Sequence, residues 1–318
     1  MISRSTLVGA LVVVELAIVG MAAKAVAGDA GTSSTGPFCF TGGRHYGFFG
    51  ADTTKGTKAL DRTFPSGASP HIVVDVHDVD VYVKSSPATG VHVVETVTTS
   101  GYVRGSFAPI TAEPIADGLR IGSSGGGNVR VMIGSVNRVL TVTVPASAQV
   151  EIVSGGRIET TGLRAKLIAH VEEGAIHVSD QRGDVDVSTG DGRIYLTDVQ
   201  SEDIAAATRS GRLYFTRVGA ERLDAHTNFG RIYATDIRAV DGALTTKEGR
   251  VSVSLAGNSD ATVTASVQDS GGRVSVSGLA ATDEGPTKRV VRVGSGRGKF
   301  EITSGDEGPV NITQGANV

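Results

Sequence analysis

Residues 192–215 read GRIYLTDVQSEDIAAATRSGRLYF, and the triplet of Gly, Arg and an aliphatic residue that opens this stretch returns within it. The same triplet, or the variant Gly174-Ala175-Ile176, recurs along much of the chain. We call the first residue of each triplet the repeat glycine. The repeat glycines are Gly156, Gly174, Gly192, Gly211, Gly230, Gly249 and Gly272. Their steps of 18, 18, 19, 19, 19 and 23 residues define an internal repeat.

Each repeat contains two apolar patterns that are typical of strands. Aliphatic residues lie two positions after the repeat glycine, as in Ile194, and apolar residues lie four positions after it, as in Leu196. Five positions before the glycine, small or aliphatic residues such as Val187 indicate a second strand. A unit of this length buries its apolar positions only by stacking on its neighbours. The repeat therefore predicts an all-β fold, a parallel β-helix-like β-solenoid with one 18–19-residue unit per coil.

Two other repeat architectures fit less well. A propeller blade needs roughly 40 residues, so alternate units would have to differ, and they do not. Leucine-rich repeats have a period of roughly 20 to 29 residues, but the asparagine ladder and the leucine spacing of that class are missing.

The composition of the whole chain limits its partners. It has 318 residues, 43 glycines, no tryptophan and a net charge of −3, which is typical of a β-rich, turn-rich chain. A nucleic-acid-binding domain would be strongly basic, so we expect no nucleic-acid partner. Cys39 is the only cysteine, so no disulfide forms within the chain.

The N-terminal residues 1–27 form a hydrophobic segment that we expect to be helical. Arg4 precedes an almost wholly apolar run, and Ala25-Val26-Ala27 resembles a signal-peptidase site. The run is also long enough to span a bilayer, at roughly 20 residues. Both interpretations stay open, a cleaved signal peptide or a retained membrane anchor. In either case we expect the rest of the chain to be exported to the cell envelope, outside the cytoplasmic membrane.

Four regions follow from these patterns. After the segment 1–27 we expect a flexible linker over 28–60 with an aromatic cluster from Phe38 to Phe49. Residues 61–150 predict a less regular β start of the solenoid. Residues 151–318 carry the regular repeats, with Val290–Gln314 as a C-terminal cap against edge-to-edge growth.

Three stretches carry a family resemblance. HIVVDVHDVDVYV (71–83), RVLTVTVPASAQVEIVSGGRIETTGL (138–163) and the repeats, as in 192–215, resemble the bacterial "putative adhesin" family of β-strand repeat domains. The resemblance covers about residues 61–305 and implies the β-strand-repeat fold and a surface or envelope role. The family has no assigned biochemistry, so the resemblance implies no catalytic residue, metal site or cofactor.

Two outward-facing columns carry the binding prediction. Arginines follow the repeat glycine directly, and tyrosines lie three positions after it, so both alternate with the buried aliphatic positions. The candidate binding residues are Arg193, Tyr195, Arg212, Tyr214, Arg231, Tyr233 and Arg250. Stacked coils lie roughly 4.8 Å apart, so we expect the tyrosine rings to stack and the guanidinium groups to lie over them.

The columns allow two interpretations. They either bind an anionic or sugar polymer of the envelope, or they only strengthen the stack, with acids such as Asp191, Asp236 and Glu248 neutralising the arginines. A protein partner in the envelope is a separate open alternative for the chain. A similar ladder of threonines, Thr189, Thr208, Thr227 and Thr246, predicts hydrogen-bonded stacking alone.

An enzyme is the alternative function. Asp180, Asp184, Asp186 and Asp191 fall within one coil, and paired carboxylates serve glycoside cleavage in carbohydrate-active β-helix enzymes. Most of these acids lie beside glycines at expected turns, where Asp is favoured for its backbone geometry. We therefore predict a non-enzymatic module.

Overall fold

The computed structural model describes residues 55–123, 129–269, 271–306 and 308–315, and its regular structure consists of strands alone. The all-β prediction is confirmed. The hydrophobic segment 1–27, the aromatic cluster Phe38–Phe49 and Cys39 lie outside the described residues. In the part of the chain that is described, we find no helix of the length and apolarity needed to cross a bilayer.

Eighteen strands are described. In chain order they are β1 (Lys55–Phe64), β2 (His71–Val76), β3 (Asp80–Ser86), β4 (Val91–Arg104), β5 (Ile110–Ile115), β6 (Gly118–Ser123), β7 (Arg130–Pro145), β8 (Gln149–Ser154), β9 (Ile158–Thr161), β10 (Leu167–Gln181), β11 (Val185–Glu248), β12 (Val251–Leu255), β13 (Ala261–Val267), β14 (Val274–Ser277), β15 (Ala281–Asp283), β16 (Lys288–Val293), β17 (Gly298–Asp306) and β18 (Val310–Gln314).

The repeats pair in parallel with their neighbours. Strand β10 lies beside β11 with Ile176 opposite Ile194, so equivalent residues of successive repeats face each other. Strands β8 and β9 pair with the other side of β10 in the same register. The 64-residue segment β11 folds back on itself, bending at Asp198, Arg217 and Asp236, which adopt positive φ values of 57°, 54° and 59°.

The repeat glycine is required by the close approach of successive repeats. A Cβ placed on Gly211 would lie 1.6 Å from the carbonyl oxygen of Gly192, and one on Gly230 would lie 1.6 Å from that of Gly211. No side chain fits in that space. The hydroxyl of Thr189, a member of the threonine ladder, donates a 3.2 Å hydrogen bond to the Gly174 carbonyl. Thr208 and Thr246 likewise donate to the carbonyls of Gly190 and Gly230, whereas the buried hydroxyl of Thr227 has no hydrogen-bond partner among the described residues.

The core is continuous through the stack. It is built from the three apolar columns predicted from the sequence, two and four residues after the repeat glycine and five before it. In the column two residues after the glycine, every side chain from the Gly156 layer to the Gly308 layer is fully buried: Ile158, Ile176, Ile194, Leu213, Ile232, Val251 and Val310. This alternation turns the intervening residues outward.

The N-terminal end of the stack is antiparallel. Strands β2 and β3 pair in parallel with β8 and β9 on one side and with β6 and β7 on the other. Beyond them, β5 pairs antiparallel with β6, β4 with β7 and β1 with β4. After β3 the chain thus forms the outer strands β4–β7 and then returns to β8 and β9, which continue the stack. Strand β1 begins at Lys55, inside the stretch 28–60 predicted to be a linker.

The segment Val290–Gln314, which we expected to be a C-terminal cap, contributes to strands β16, β17 and β18. Strand β17 lies between β11 and β13, and β18 lies between β12 and β14, so the last two strands are inside the stack. The outer layer is formed by β13 and β14, with β16 and β15 added antiparallel. The neighbour of Gly249 is therefore Gly308, whose Cβ would lie 1.5 Å from the Gly249 carbonyl oxygen, and not Gly272.

Candidate functional site

The seven predicted binding residues lie on one outward face of the repeats, and we call them the Arg/Tyr strip. They are Arg193, Tyr195, Arg212, Tyr214, Arg231, Tyr233 and Arg250. The arginines are exposed and the tyrosines are half-buried. The strip lies on this face because the residues between its members, such as Ile194 and Leu213, are fully buried in the core.

The tyrosine rings cover one another. Tyr195 and Tyr214 are stacked with ring centroids 4.8 Å apart and planes 4° from parallel, and Tyr214 and Tyr233 are 5.3 Å apart at 12°. His177 extends the stack beyond Tyr195, with its ring 4.3 Å away and tilted by 31°. Because the faces of the inner rings are covered, the ladder presents ring edges and hydroxyls to solvent.

Two of the four arginines contact tyrosine hydroxyls instead of the ring faces that we expected. Arg212 Nη1 lies 3.5 Å from the Tyr214 hydroxyl, and Arg231 Nη1 lies 3.5 Å from that of Tyr233. Among the described residues no guanidinium lies over a ring of this ladder. The contact with Tyr214 raises the pKa of Arg212, which is charged in either case. Arg212 and Arg231 thus each pair a guanidinium with a phenol hydroxyl.

The acids expected to neutralise the strip have other roles or lie apart from it. Asp191 is bonded to Arg209, and this contact lowers the pKa of Asp191. Asp236 lies at a corner of its repeat with positive φ. Glu248 is exposed at the end of β11 and forms no ion pair with a described residue. Within the described ranges none of the four arginines of the strip forms an ion pair. Among the described residues, the strip therefore carries four positive charges without an ion-pair partner.

A column of hydroxyl residues runs beside the tyrosines, and sequence reasoning missed it as part of the face. It lies five positions after each repeat glycine and comprises Thr161, Ser179, Thr197, Thr216, Thr235, Ser254 and Thr313. At one end of the column the hydroxyls of Thr161 and Ser179 are 2.8 Å apart. The same alternation that places the arginines and tyrosines outward could have identified this column.

The strip has defined ends. At the N-terminal end, Ala175 occupies the arginine position, and Arg157 Nη2 donates to His177 Nε2 at 3.2 Å. Burial and the nearby Arg157 charge lower the pKa of His177 to about 4, so the ring is neutral at pH 7. At the other end, Tyr233 is followed in register by Ser252 and then by Asn311, which carry no ring.

The clustered aspartates do not converge. Asp180 is exposed and pairs with Arg164 at 3.0 Å, Asp191 pairs with Arg209, and Asp186 is exposed on a different strand face. Asp184 accepts from the Ser201 hydroxyl at 3.4 Å and lines an open groove of about 850 Å³ with charged residues of both signs. A general acid in such a pair needs a raised pKa, and that of Asp191 is lowered.

No metal site is apparent in the described residues, where no three His, Cys, Asp or Glu side chains group as ligands. Two histidines have local partners instead. His92 Nε2 lies 2.9 Å from Asp61 Oδ1, and His226 Nε2 lies 2.8 Å from Asn228 Oδ1. These contacts account for both rings without a ligand.

Solved structures with a similar course of the chain are those of bacterial proteins. One described as a "putative adhesin" from Parabacteroides merdae shares 11% identity with a TM-score of 0.48, covering 83% of this chain and 96% of that one. Another from Parabacteroides distasonis shares 14% identity with a TM-score of 0.46, covering 83% and 98%. A third from Bacteroides fragilis shares 13% identity with a TM-score of 0.39, covering 80% and 96%.

No curated protein matches the sequence. A family model does match, over residues 70–313, and it spans most of the described strands, from the start of β2 to the end of the stack. On that match, the chain belongs to the Toastrack DUF4097 family.

Proposed function

We propose that the chain is a non-enzymatic, adhesin-like module of the cell envelope whose Arg/Tyr strip binds a linear anionic polymer. The stacked repeats act in this proposal as a rigid solenoid that holds the strip straight. One observation carries the proposal, namely four arginines at successive layers without a carboxylate partner among the described residues. Like charges in register destabilise neighbouring strands, so a purely structural ladder would be expected to carry counter-charges.

The electrostatic gain from a bound polyanion follows from the spacing. Adjacent layers of a sheet are about 4.8 Å apart, and two unit charges at that distance in water repel by roughly 1 kcal/mol. Anionic groups spaced like the layers remove this repulsion along the strip. Arginine also binds carboxylate and phosphate oxygens through paired hydrogen bonds. The phenol hydroxyls beside Arg212 and Arg231 add a donor in each of those layers.

The ring geometry favours anion recognition over stacking of sugars along the whole ladder. A sugar ring packs on an exposed aromatic face, and the inner faces of this ladder are covered by neighbouring rings. The polymer would lie across ring edges, hydroxyls and guanidinium groups. The column of hydroxyl residues beside the tyrosines supplies further hydroxyls that can bond to such a polymer.

The envelope location rests on the N-terminal sequence and on the family. Residues 1–27 resemble an export signal or an anchor, and two similar solved structures are each described as a "putative adhesin". One further similar structure, at a TM-score of 0.35, is described as a "putative lipid binding protein". The carboxylate geometry favours no enzyme, because the clustered aspartates have separate partners.

The test compares two pairs of arginines in the full-length chain. Arg212→Gln with Arg231→Gln removes two charges from the strip. Arg209→Gln with Arg222→Gln removes two other exposed charges, which are paired with Asp191 and Asp224. Binding to a polyuronate and to polyphosphate is measured by co-sedimentation at low and high salt.

We expect binding that weakens with salt, because exposed charges are screened beyond about 10 Å at 0.1 M. The strip variant should lose at least about tenfold in affinity, and the control variant should stay near wild type. An equal loss of affinity in both variants would mean that binding depends on net charge alone and not on the Arg/Tyr strip. The absence of binding to every polyanion would overturn the proposal.

A further inference from the structure

Among the described residues, every ring face of the tyrosine ladder is covered except one. Tyr195 lies between His177 and Tyr214, and Tyr214 lies between Tyr195 and Tyr233. Tyr233 has a ring partner on one side only in the described part of the chain. Its in-register neighbour on the other side is Ser252, and a serine leaves open most of the volume that a further ring would fill.

The open position beside Tyr233 has polar surroundings. Its floor is formed by Ser252 and, one layer further, Asn311, and both side chains are half-buried. Neither side chain has a hydrogen-bond partner among the described residues. Arg231 flanks the position from the Tyr233 layer, where it contacts the Tyr233 hydroxyl. Arg250 flanks it from the Ser252 layer, exposed and without an ion pair in the described residues.

The strip ends at this position. The residue beside Arg250 in the next layer is Pro309, whose carbonyl accepts from the Val251 amide, and proline carries neither a charge nor an N–H group. The last arginine of the strip and the one open ring face therefore occur together. A ligand bound along the strip would meet them at its end.

We propose that this open face of Tyr233 is a subsite for the terminal sugar of an acidic polysaccharide, specifically a pyranose that carries a carboxylate. The apolar face of the sugar stacks on Tyr233 in the place of the missing ring, at the ordinary spacing between layers. Its hydroxyls bond to Ser252 and Asn311, and its carboxylate pairs with Arg250. This assignment rests on the proposed function and narrows its ligand from any linear polyanion to a polyuronate.

The polar floor is the reason to prefer a sugar to an aromatic acid. An aromatic carboxylate would use the ring face and Arg250, but it would leave the Ser252 hydroxyl and the Asn311 amide without partners. A uronate offers ring hydroxyls to both groups. A polyphosphate has no ring, so it would bind the arginines and leave this position empty.

The test fills the open position. Ser252→Tyr places a ring over Tyr233 and extends the ladder by one layer, as the existing tyrosines already do in neighbouring layers. Ser275→Tyr is the matched control, because Ser275 lies opposite Asn311 in the same column but one layer beyond it. Affinities of the full-length chain for a uronic acid oligosaccharide and for polyphosphate of equal charge are measured by calorimetry.

Ser252→Tyr should weaken oligouronide binding about tenfold, the loss expected for one aromatic contact with its hydrogen bonds. It should leave polyphosphate binding within about twofold, and Ser275→Tyr should change neither ligand. Tyr233→Leu, which keeps an apolar side chain but removes both the flat face and the hydroxyl beside Arg231, is a second variant that should weaken binding of the oligouronide more than binding of polyphosphate. Circular dichroism checks that each variant is folded.

The outcomes separate the two proposals. Unchanged oligouronide binding in folded Ser252→Tyr overturns the sugar subsite, while loss of binding in the Arg212 and Arg231 variant still supports the polyanion strip. Equal weakening of both polymers by Ser252→Tyr also overturns the subsite. Displacement of the oligouronide by benzoate at matched concentration, with no displacement by free uronic acid, would assign the position to an aromatic acid. Failure of both polymers to bind overturns the strip and the subsite together.

Discussion

The strands of the central repeats and the strands at the two ends of the stack are paired differently. In the centre, from Gly174 to Leu255, one set of contacts recurs in every layer, and successive repeats pair in parallel. At both ends the outer strands are antiparallel, as in β1–β4 and β13–β16. In the centre, the repeated register places like residues beside one another in ladders. At the ends, individual contacts occur only once and are not repeated from layer to layer.

The difference has a physical basis in edge protection. A parallel stack of identical repeats offers an open edge at each end, and such an edge would pair with another chain. The antiparallel strands at the ends interrupt the repeat register, so a further repeat has no matching surface there. The ends therefore need their own stabilising contacts, such as the buried ion pair between Glu95 and Arg138.

The largest effect on stability is expected at the contact between repeat glycines of neighbouring central layers, where no side chain fits. Gly230→Val places a side chain where a Cβ alone would lie 1.6 Å from the Gly211 carbonyl oxygen. We expect a loss of more than about 4 kcal/mol in the free energy of unfolding, or no folding, because backbone must move in two layers. Urea unfolding monitored by circular dichroism measures it. Gly67→Val, where nothing lies within 4 Å, is the control, and an equally large loss there would contradict the steric argument.

A single contact at the N-terminal end should have the next largest effect. Glu95 and Arg138 pair at 2.6 Å with side chains only 3% and 7% exposed. Glu95→Gln leaves a buried guanidinium without its carboxylate, so we expect about 3 kcal/mol of destabilisation.

The same unfolding experiment measures this loss, with exposed Glu113→Gln at the same end as the control. A loss confined to a separate early transition would show that this end unfolds before the central repeats. A change of less than about 1 kcal/mol would mean that water reaches Arg138 in the folded protein.

The boundary between centre and end should respond to pH. His177 has a folded pKa of about 4, below its ordinary 6.5, because burial and the charge of Arg157 disfavour its protonation. Between pH 4 and pH 6.5, His177 therefore binds more protons in the unfolded chain than in the folded one. The stabilisation from neutral His177 is complete above pH 6.5 and is lost as the pH falls towards 4.

Because the ring is only half-buried, we discount this contribution to about 1 to 2 kcal/mol. His177→Tyr keeps a ring in the stack without this titration. The stability difference between variant and wild type should therefore grow in favour of the variant from pH 7 to pH 4.5. A difference that does not depend on pH would show that His177 is protonated without penalty in the folded state.

The smallest effect is expected from a surface ion pair of the central repeats. Arg209 and Asp191 are bonded, but their side chains are 63% and 42% exposed. Exposed pairs contribute up to about 1 kcal/mol, so Arg209→Gln should change stability by less than about 0.5 kcal/mol. Thermal unfolding measures the change. A loss as large as that of Glu95→Gln would mean that the centre depends on its surface pairs as the end depends on its buried one.

The periodic part of the fold was predictable because each layer repeats the same local rule. Alternating apolar residues indicated which side chains are buried, and the residues between them are the strip that the structure shows on one face. The order of the layers was not predictable from the repeat step. The layer next to Gly249 is formed by Gly308-Pro309-Val310, which is a glycine, a further residue and an aliphatic residue, as in the other repeats. This triplet is separated from Gly249 along the chain by the segments 261–277 and 281–293, so the repeat step did not indicate that it comes next.

The candidate site was found in part by the same reasoning. The residues of the strip and their common face followed from the alternation, whereas the ring geometry did not. Side-chain torsions decide whether stacked tyrosines present faces or edges, and sequence spacing does not report them. The pairing of Asp191 with Arg209, which leaves the strip uncompensated, likewise depends on side chains at a turn.

The sequence by itself determined the repeat length, the buried columns and the identity of the outward residues, because these depend on neighbours along the chain and on a two-residue period. Only the tertiary structure decided which strands form the ends, which layer follows Gly249 and where the tyrosine ladder stops at Ser252. Those features depend on pairing between distant segments. A strand with an apolar alternation fits several edges equally well, and the loops around it select one.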